Sequence, residues 1–318
     1  MEYRKLISFG KSSFVVSLPK TWVRQHKLVK GDLIYFEEQN TDLILKPRSN
    51  KTEEESKEIV INVDGKSLFT VRREISSAYI LNYRKIILKG SEVKSKIKEL
   101  QSSIQHFIAL EVMEQSPDSI VASDFLNMDK VSIEELIRKM DLVTRTMLKE
   151  CSQLFKDEAI LEAIKERDKD VDRLYFLLFR TVLYGLQNPG KVLKAFNLTS
   201  VDLLKIKFIG YYIEAIADET RRIVRSAQGA IVGPSEKKQI EQLVNKVYDY
   251  FAQTMKSVYN KDVKLALQLS EMKKEFEADL EVLEKSTAKV PELYKVIHRF
   301  DRVVLSIHGL GRLVYTFT

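Results

Sequence analysis

The feature that most constrains the fold is the run of residues from 129 to 318, where apolar residues recur every three to four positions. Proline, glycine and asparagine interrupt this run at four places: Asn188-Pro189-Gly190, Gly229 to Pro234, Tyr259-Asn260 and Val290-Pro291. The pattern predicts six helices, over about 131–154, 157–187, 199–228, 235–259, 261–286 and 289–315. Six helices in two sets of three indicate a pair of three-helix bundles or an internal duplication.

The first 50 residues have a different pattern, typical of a small β domain. Turn signals alternate with short runs of β-branched and aromatic residues, which predict a β-β-α-β-β unit over 1–50. Its elements are the strands Tyr3–Ile7 and Phe14–Leu18, the helix Lys20–Lys27 and the strands Leu33–Glu37 and Leu43–Leu45. So small a sheet cannot bury both faces by itself, and we expect it to need a partner chain.

The middle of the chain predicts a second small domain, over 58–127. Strands alternate with helices there, which is typical of an α/β layer. The polar residues 48–57 before it are typical of a linker. No phosphate-binding loop or metal motif is visible in this segment, so we interpret it as a coupling domain. The fold class expected for the whole chain is therefore multi-domain.

Positive charge is concentrated at the N-terminus. Residues 1–30 contain seven Lys and Arg and one acid, a balance of +6, whereas the whole chain carries +7. Such asymmetry indicates a module that faces a polyanion. The alternative is an ordinary solvated basic surface.

The landmarks of this module resemble the AbrB-type swapped-hairpin domain. They are Arg4-Lys5-Leu6, Gly10-Lys11, Val16-Ser17-Leu18-Pro19-Lys20, Leu28-Val29-Lys30-Gly31-Asp32 and Leu43-Ile44-Leu45-Lys46-Pro47. The resemblance implies an intertwined homodimer with a basic DNA-binding face, to which we assign Arg4, Lys5, Lys11, Lys20 and Arg24. Ser12 and Ser13 lengthen the loop relative to the family. The alternative is a fold that is retained only for dimerisation.

Pairs of acids one helical turn apart are the candidate metal ligands. They are Asp168 and Asp172, Glu214 and Asp218, and Glu275 and Asp279. The helical period places Asp168 and Asp279 on apolar stripes, and the other acids beside them. Two such carboxylates on one face can bind a hard or borderline cation. They can equally pair with Arg167, Arg173, Arg221 or Arg222, and the spacing leaves both interpretations open.

The order of these motifs resembles the PhoU family of phosphate-uptake regulators. The run Arg167-Asp168-x-x-x-Asp172-Arg-Leu-Tyr followed by Glu214-x-x-x-Asp218 carries the resemblance. It implies two three-helix bundles that each gather a metal cluster, with Fe, Zn, Mn or Mg as possible ions. In the second bundle Asp301 persists, but Leu305 stands where an acid belongs, so that set is incomplete. An AbrB-like domain before a PhoU-like domain is similar to archaeal PhoU-type regulators.

Three functions compete. The first is a dimeric regulator of phosphate uptake that binds operator DNA upstream of phosphate-transport genes. The second is an adaptor that acts on a phosphate ABC-transporter ATPase or a sensor protein, with the N-terminal domain only dimerising. The third, a carboxylate-bridged metalloenzyme, usually needs Glu-x-x-His pairs, and none of these acid pairs contains histidine. We therefore expect no enzymatic activity.

The chain shows no sequence signal for a membrane. Its longest apolar run, 174–186, contains Arg180 and is shorter than the roughly 20 residues that a span needs. The N-terminus lacks the apolar core of a signal peptide. Its single cysteine, Cys151, is typical of a reducing compartment. We expect a cytoplasmic protein with no membrane insertion.

Overall fold

The structure is a computed structural model that describes residues 3–39, 42–47, 57–155, 159–188, 198–287 and 290–316. It divides into two compact units, residues 1–55 and 56–318. Most of the expected linker, residues 48–56, lies outside the described residues. None of the described helices combines the length and apolarity needed to cross a bilayer.

The first unit consists of two hairpins and a short helix, in the expected β-β-α-β-β order. Strand β1 (Ile7–Phe9) pairs antiparallel with β2 (Ser13–Val15), and β3 (Tyr35–Gln39) pairs antiparallel with β4 (Asp42–Lys46). Helix α1 (Lys20–Gln25) follows Pro19, whose carbonyl accepts a hydrogen bond from the N–H of Val23 at 3.1 Å. The two strand pairs form separate sheets within one chain.

The predicted boundaries of this unit were partly wrong. Strand β1 begins at Ile7 rather than Tyr3, and β2 ends at Val15 rather than Leu18. The turn at Gly10 sets a register in which Ile7 and Val15 are the outermost pair, so residues 3–6 have no described strand to pair with. Helix α1 stops early because Lys27 takes a left-handed conformation, with φ +52°. Strand β3 lies two residues later than expected, over Tyr35–Gln39.

No side chain described in this unit is buried. The aromatic side chains of Phe9 and Phe14 are 70% and 68% exposed, and Leu33 is 72% exposed. An isolated two-stranded hairpin is marginally stable in water. The described residues of one copy of this unit therefore form no hydrophobic core of their own.

The second unit begins with a four-stranded sheet covered by two helices. The elements are β5 (Glu58–Asn62), α2 (Leu68–Ile80), β6 (Lys85–Lys89), α3 (Ile97–Gln105), β7 (Leu110–Ser116) and β8 (Ser119–Asp124). The strand order is β5-β6-β8-β7, in which only β5 and β6 are parallel. Alternate strand residues such as Ile86, Leu88 and Ile120 pack with Val71 and Ile75 of α2 in a buried core.

Six long helices follow in the described part of the chain, as the periodicity predicts. They are α4 (Ile133–Glu150), α5 (Ile160–Gln187), α6 (Ser200–Ala227), α7 (Pro234–Asn260), α8 (Val263–Ser286) and α9 (Pro291–Thr316). Their apolar stripes share one core. Helices α6 and α9 approach closely at Gly309, where an added Cβ would lie 2.5 Å from the Tyr212 ring. The result is the helical-bundle architecture expected for this part of the chain.

A buried ion pair joins the sheet to the helices. Arg180 on α5 is fully buried and donates to Asp124 at the end of β8, with Nη2 to Oδ2 at 2.6 Å. It also donates to Asn82 Oδ1 at 2.6 Å. Arg84 supplies a second cation to Asp124. This network fixes α5 against the α/β part of the unit.

Candidate functional site

The five predicted DNA-binding residues all lie in the first unit and are exposed. Arg4 and Lys5 precede β1, and Lys11 lies in the turn between β1 and β2. Lys20 begins α1 and Arg24 lies in its last turn. Exposed lysine and arginine side chains of this kind bind mainly to nucleic-acid phosphates, with affinity that falls as salt rises.

The first acidic set lies on α5 and α6. The carboxylates of Asp168, Asp172, Glu214 and Asp218 interact electrostatically with one another. Asp168 is buried, as its place on the apolar stripe of α5 predicts. Arg221 contacts it, with Nε to Oδ2 at 2.6 Å, and also forms an ion pair with Asp218.

Burial and mutual repulsion raise the pKa values of three acids of this set, Asp168, Asp172 and Glu214. The pKa of Asp172 rises to about 7, mainly because of burial and then because of the charges of Asp168 and Asp218. The pKa of Glu214 also rises to about 7, with burial again the largest cause. Burial raises the pKa of Asp168 as well, although Arg221 opposes the shift. The raised pKa values of Asp168, Asp172 and Glu214 therefore reflect buried carboxylates whose charges are only partly compensated.

The chemistry of this set suits a hard cation, but its geometry is that of an ion-pair network. Arg221 and Arg222 hold Asp168 and Asp218, which is the alternative that the spacing left open. Throughout the described ranges, no three His, Cys, Asp or Glu side chains are arranged to hold one metal ion. As placed, Asp168 and Asp218 already have Arg221 as an ion-pair partner.

The second acidic set is not brought together. Glu275 and Asp279 both contact Lys246 of α7, at 3.6 and 2.7 Å. Asp301 lies instead in a pocket between α8 and α9, beside Glu277 and Glu281. The placement of Asp279 on an apolar stripe was wrong, since its side chain is 50% exposed. The buried stripe of α8 runs through Leu269, Phe276, Leu280 and Leu283, and Asp279 lies beside it, facing α7.

Sequence reasoning missed one charged cluster beside the first acidic set. Glu219, the residue after Asp218, is buried and contacts Arg222 of its own helix and Arg299 of α9. The pair Glu219 and Arg222 could have been found from its spacing on α6. The contact with Arg299 spans 80 residues and depends on how α6 and α9 pack.

The chain thus consists of a basic β unit followed by an α/β part and a long helical bundle with paired acids. Residues 137–227 match the PhoU domain model, and residues 7–53 match the model of "Antidote-toxin recognition MazE, bacterial antitoxin". The chain therefore carries a PhoU domain behind a MazE/AbrB-type domain, which confirms both resemblances. Both are regulatory families rather than families of enzymes. No curated protein and no solved structure matches the chain.

The boundaries of the matches separate the candidate residues into groups. All four acids of the first acidic set lie within the PhoU match, whereas Glu275, Asp279 and Asp301 lie beyond it. Lys11, Lys20 and Arg24 lie within the MazE-type match, and Arg4 and Lys5 directly precede it.

Proposed function

We propose that this protein is a dimeric DNA-binding regulator of phosphate uptake, which works in the cytoplasm. Its first unit binds operator DNA upstream of phosphate-transport genes, and its helical part relays phosphate status. The PhoU and MazE-type matches support the two halves of this proposal. The resemblance to archaeal PhoU-type regulators supports the combination itself, in which an AbrB-like domain precedes a PhoU-like domain.

The observation that carries the proposal is the composition of the first unit's surface. Its described side chains are all at least partly exposed, and they include Arg4, Lys5, Lys11, Lys20 and Arg24. Exposed apolar residues such as Phe9 and Phe14 need a second copy to cover them. A pair of such units would present twice the basic residues to one duplex, which strengthens phosphate binding.

A footprint on the phosphate-transport promoters of the source organism tests the proposal. We expect one discrete protected region that weakens when the salt concentration rises. A protein that only dimerises through its first unit would leave no discrete footprint, even at low salt.

The adaptor function is the second candidate, and the PhoU match favours it equally. It predicts that the full-length protein captures a transporter ATPase or a sensor protein. Capture that survives the substitutions Arg4→Ala, Lys11→Ala and Arg24→Ala, in the absence of any footprint, would favour the adaptor over the DNA-binding regulator.

Metal binding by the acidic cluster is a separate proposal, implied by the PhoU resemblance. A Fe, Zn, Mn or Mg ion would have to displace Arg221 from Asp168 and Asp218. Elemental analysis of the purified protein beside an Asp168→Asn and Asp218→Asn double variant tests it. Equal metal content in the two proteins would contradict the proposal.

A further inference from the structure

Three arginines from two helices converge on one buried carboxylate. Glu219 on α6 is only 8% exposed, and Arg222 Nη1 lies 2.7 Å from its Oε1. Arg299 Nη1 of α9 donates to both oxygens, at 3.2 and 3.1 Å. Arg302 Nη1 lies 3.6 Å from Oε1, which is an ion-pair distance but too long for a hydrogen bond. We call Arg222, Arg299 and Arg302 the arginine cluster.

Two members of the arginine cluster, Arg299 and Arg302, carry more positive charge than their ion-pair partner neutralises. Arg222 divides its contacts between Glu219 and Asp218, and Asp218 is also held by Arg221. For Arg299 and Arg302, Glu219 is the one carboxylate within ion-pair distance among the described residues. Because Asp218 takes up the charge of Arg222, Arg299 and Arg302 together exceed the charge of Glu219 by one positive charge.

A purely structural role does not need this arrangement. One guanidinium group in a two-bond contact satisfies a buried carboxylate, whereas additional guanidinium groups at similar distances repel one another. The side chains of Arg222, Arg299 and Arg302 are 40%, 30% and 50% exposed. Each guanidinium group has five N–H donors, so donors that Glu219 does not use remain reachable from solvent.

We propose that the arginine cluster binds a phosphate-class oxyanion, meaning a tetrahedral group with close to two negative charges. A phosphoryl group carries about −1.5 to −2 charges at neutral pH, and its oxygens can accept hydrogen bonds from the donors that Glu219 does not use. Planar guanidinium groups donate paired hydrogen bonds to such oxygens more effectively than lysine does. The group can come from free inorganic phosphate or from a phosphorylated side chain of a partner protein.

This site lies on α6 and α9 and uses none of the DNA-binding residues. It therefore goes beyond the proposed DNA binding, and the two claims can fail separately. The variant with Arg4→Ala, Lys11→Ala and Arg24→Ala should bind inorganic phosphate as the natural protein does.

Calorimetric titration of the full-length protein at constant ionic strength tests the proposal, with inorganic phosphate and O-phosphoserine as separate ligands. We expect about one phosphate per chain. Arg299→Ala and Arg302→Ala should each weaken binding about tenfold or more, because each removes charge-assisted donors. Arg138→Ala is the matched control, since Arg138 is 59% exposed and pairs with Glu134 of its own helix.

Glu219→Gln gives the most specific readout. Glutamine keeps the shape of the side chain but removes the competing negative charge, so phosphate should bind several-fold more tightly. A merely structural ion pair would lose stability in this variant without any gain in phosphate affinity. Circular dichroism shows whether Glu219→Gln is folded. If it is not, the phosphate affinity of the milder Arg302→Ala variant still tests the proposal.

The outcomes separate cleanly. Inorganic phosphate binding at least as tightly as O-phosphoserine supports the free ion, and tighter O-phosphoserine binding supports a phosphorylated partner. The proposal is overturned if neither ligand binds at millimolar concentration. It is also overturned if Arg302→Ala matches the natural protein in phosphate affinity, or if Glu219→Gln weakens the binding.

Discussion

At the scale of single residues, the acids on α5 and α6 differ in what compensates their charge. Asp168 and Asp218 contact Arg221, whereas the pKa values of Asp172 and Glu214 rise to about 7. The same residue types at the same spacing thus have two electrostatic roles. Two of the acids hold arginine, and two remain partly protonated near neutral pH.

The raised pKa of Asp172 predicts a pH-dependent cost to folding. Its pKa is 3.8 in the unfolded chain and about 7 in the folded protein, so the folded state binds more protons between these values. Stability contributed by this group therefore falls as the pH rises through that window. Asp172→Asn should stabilise the protein by about 1–3 kcal/mol at pH 8 and by clearly less at pH 5.

Urea denaturation of metal-free protein at the two pH values measures this effect. Asp170→Asn is the control, because Asp170 lies on the same helix but its side chain is 60% exposed. A gain of equal size at pH 5 and pH 8, or a loss of stability at pH 8, would contradict the prediction.

Gly90 is the glycine whose replacement should cost most in the α/β part. Its φ is +147°, and an added Cβ would lie 2.3 Å from Asp64 Oδ1. That carboxylate accepts hydrogen bonds from the backbone N–H groups of Ser91 and Glu92, at 3.0 and 2.9 Å. Gly90→Ala should therefore destabilise the protein by about 2–4 kcal/mol, because it combines backbone strain with a steric clash.

Gly65→Ala is the matched control for this prediction. Gly65 also has a positive φ, +69°, but nothing lies within 4 Å of an added Cβ. Thermal unfolding of both variants should show a larger loss of stability for Gly90→Ala. The difference between the two losses measures the cost of the clash with Asp64. Equal losses would mean that Asp64 can move away without cost.

At the scale of secondary structure elements, α5 is the helix that contacts both the neighbouring helix α6 and the α/β part of the second unit. One stretch of it carries Asp168 and Asp172 toward α6, and two turns further on Arg180 reaches Asp124 in the sheet. Arg180 also lies against the Tyr79 ring of α2, with 4.5 Å from Cζ to the ring centroid. A shift of α5 would therefore disturb both the acidic set and the α/β part.

Arg180→Met should remove the ion pair between α5 and Asp124 of the sheet. It leaves Asp124 buried with Arg84 as its remaining ion-pair partner among the described residues, and such losses cost about 3–5 kcal/mol. We expect urea unfolding to show a lower midpoint, with the α/β part unfolding before the helices. Arg173→Met, two turns earlier and 41% exposed, should cost less than about 1 kcal/mol. Equal stability of the two variants would rule out the linking role of Arg180.

The helices could be predicted from sequence because their signals are local. Helix α6 was expected over 199–228 and spans Ser200–Ala227, since Thr199 forms a capping box with Asp202 at its start. Helix α7 begins at Pro234, the position that proline favours. The ends of the strands in the first unit are harder to predict from sequence, because the pairing register determines them and composition does not.

The candidate site was predictable only in part. Helical spacing correctly placed Asp168 on a buried stripe, but it could not show that Arg221 would hold it across two helices. The contact between Arg180 and Asp124 joins residues 56 positions apart, and no local pattern marks it. Such pairs depend on how each helix is rotated in the packed bundle, which short-range periodicity does not determine.

At the scale of the whole molecule, the two units differ in their ability to fold alone. The second unit has two extensive buried cores, whereas the first has no buried side chain among its described residues. We therefore expect the full-length protein to be a dimer of about 74 kDa, twice its 36.9 kDa chain mass. Removing residues 1–55 should leave a folded monomer.

Light scattering after size-exclusion chromatography measures both masses. A truncated protein that remains dimeric would place the main interface on the helices instead. A full-length protein that is monomeric at micromolar concentration would leave the first unit without the partner that its exposed apolar surface requires.

The most direct test of the central claim is the salt dependence of DNA affinity. Fluorescence anisotropy with promoter DNA should show affinity that falls steeply with salt. In the Arg4→Ala, Lys11→Ala and Arg24→Ala variant, affinity should drop, and the log–log slope should shrink by about 0.9 for each DNA phosphate that the variant no longer neutralises. A control that removes the same charge from the second unit, at Arg138, Lys165 and Lys285, should retain the natural slope. Identical affinity and slope in the first-unit variant and the natural protein would contradict DNA binding through the first unit.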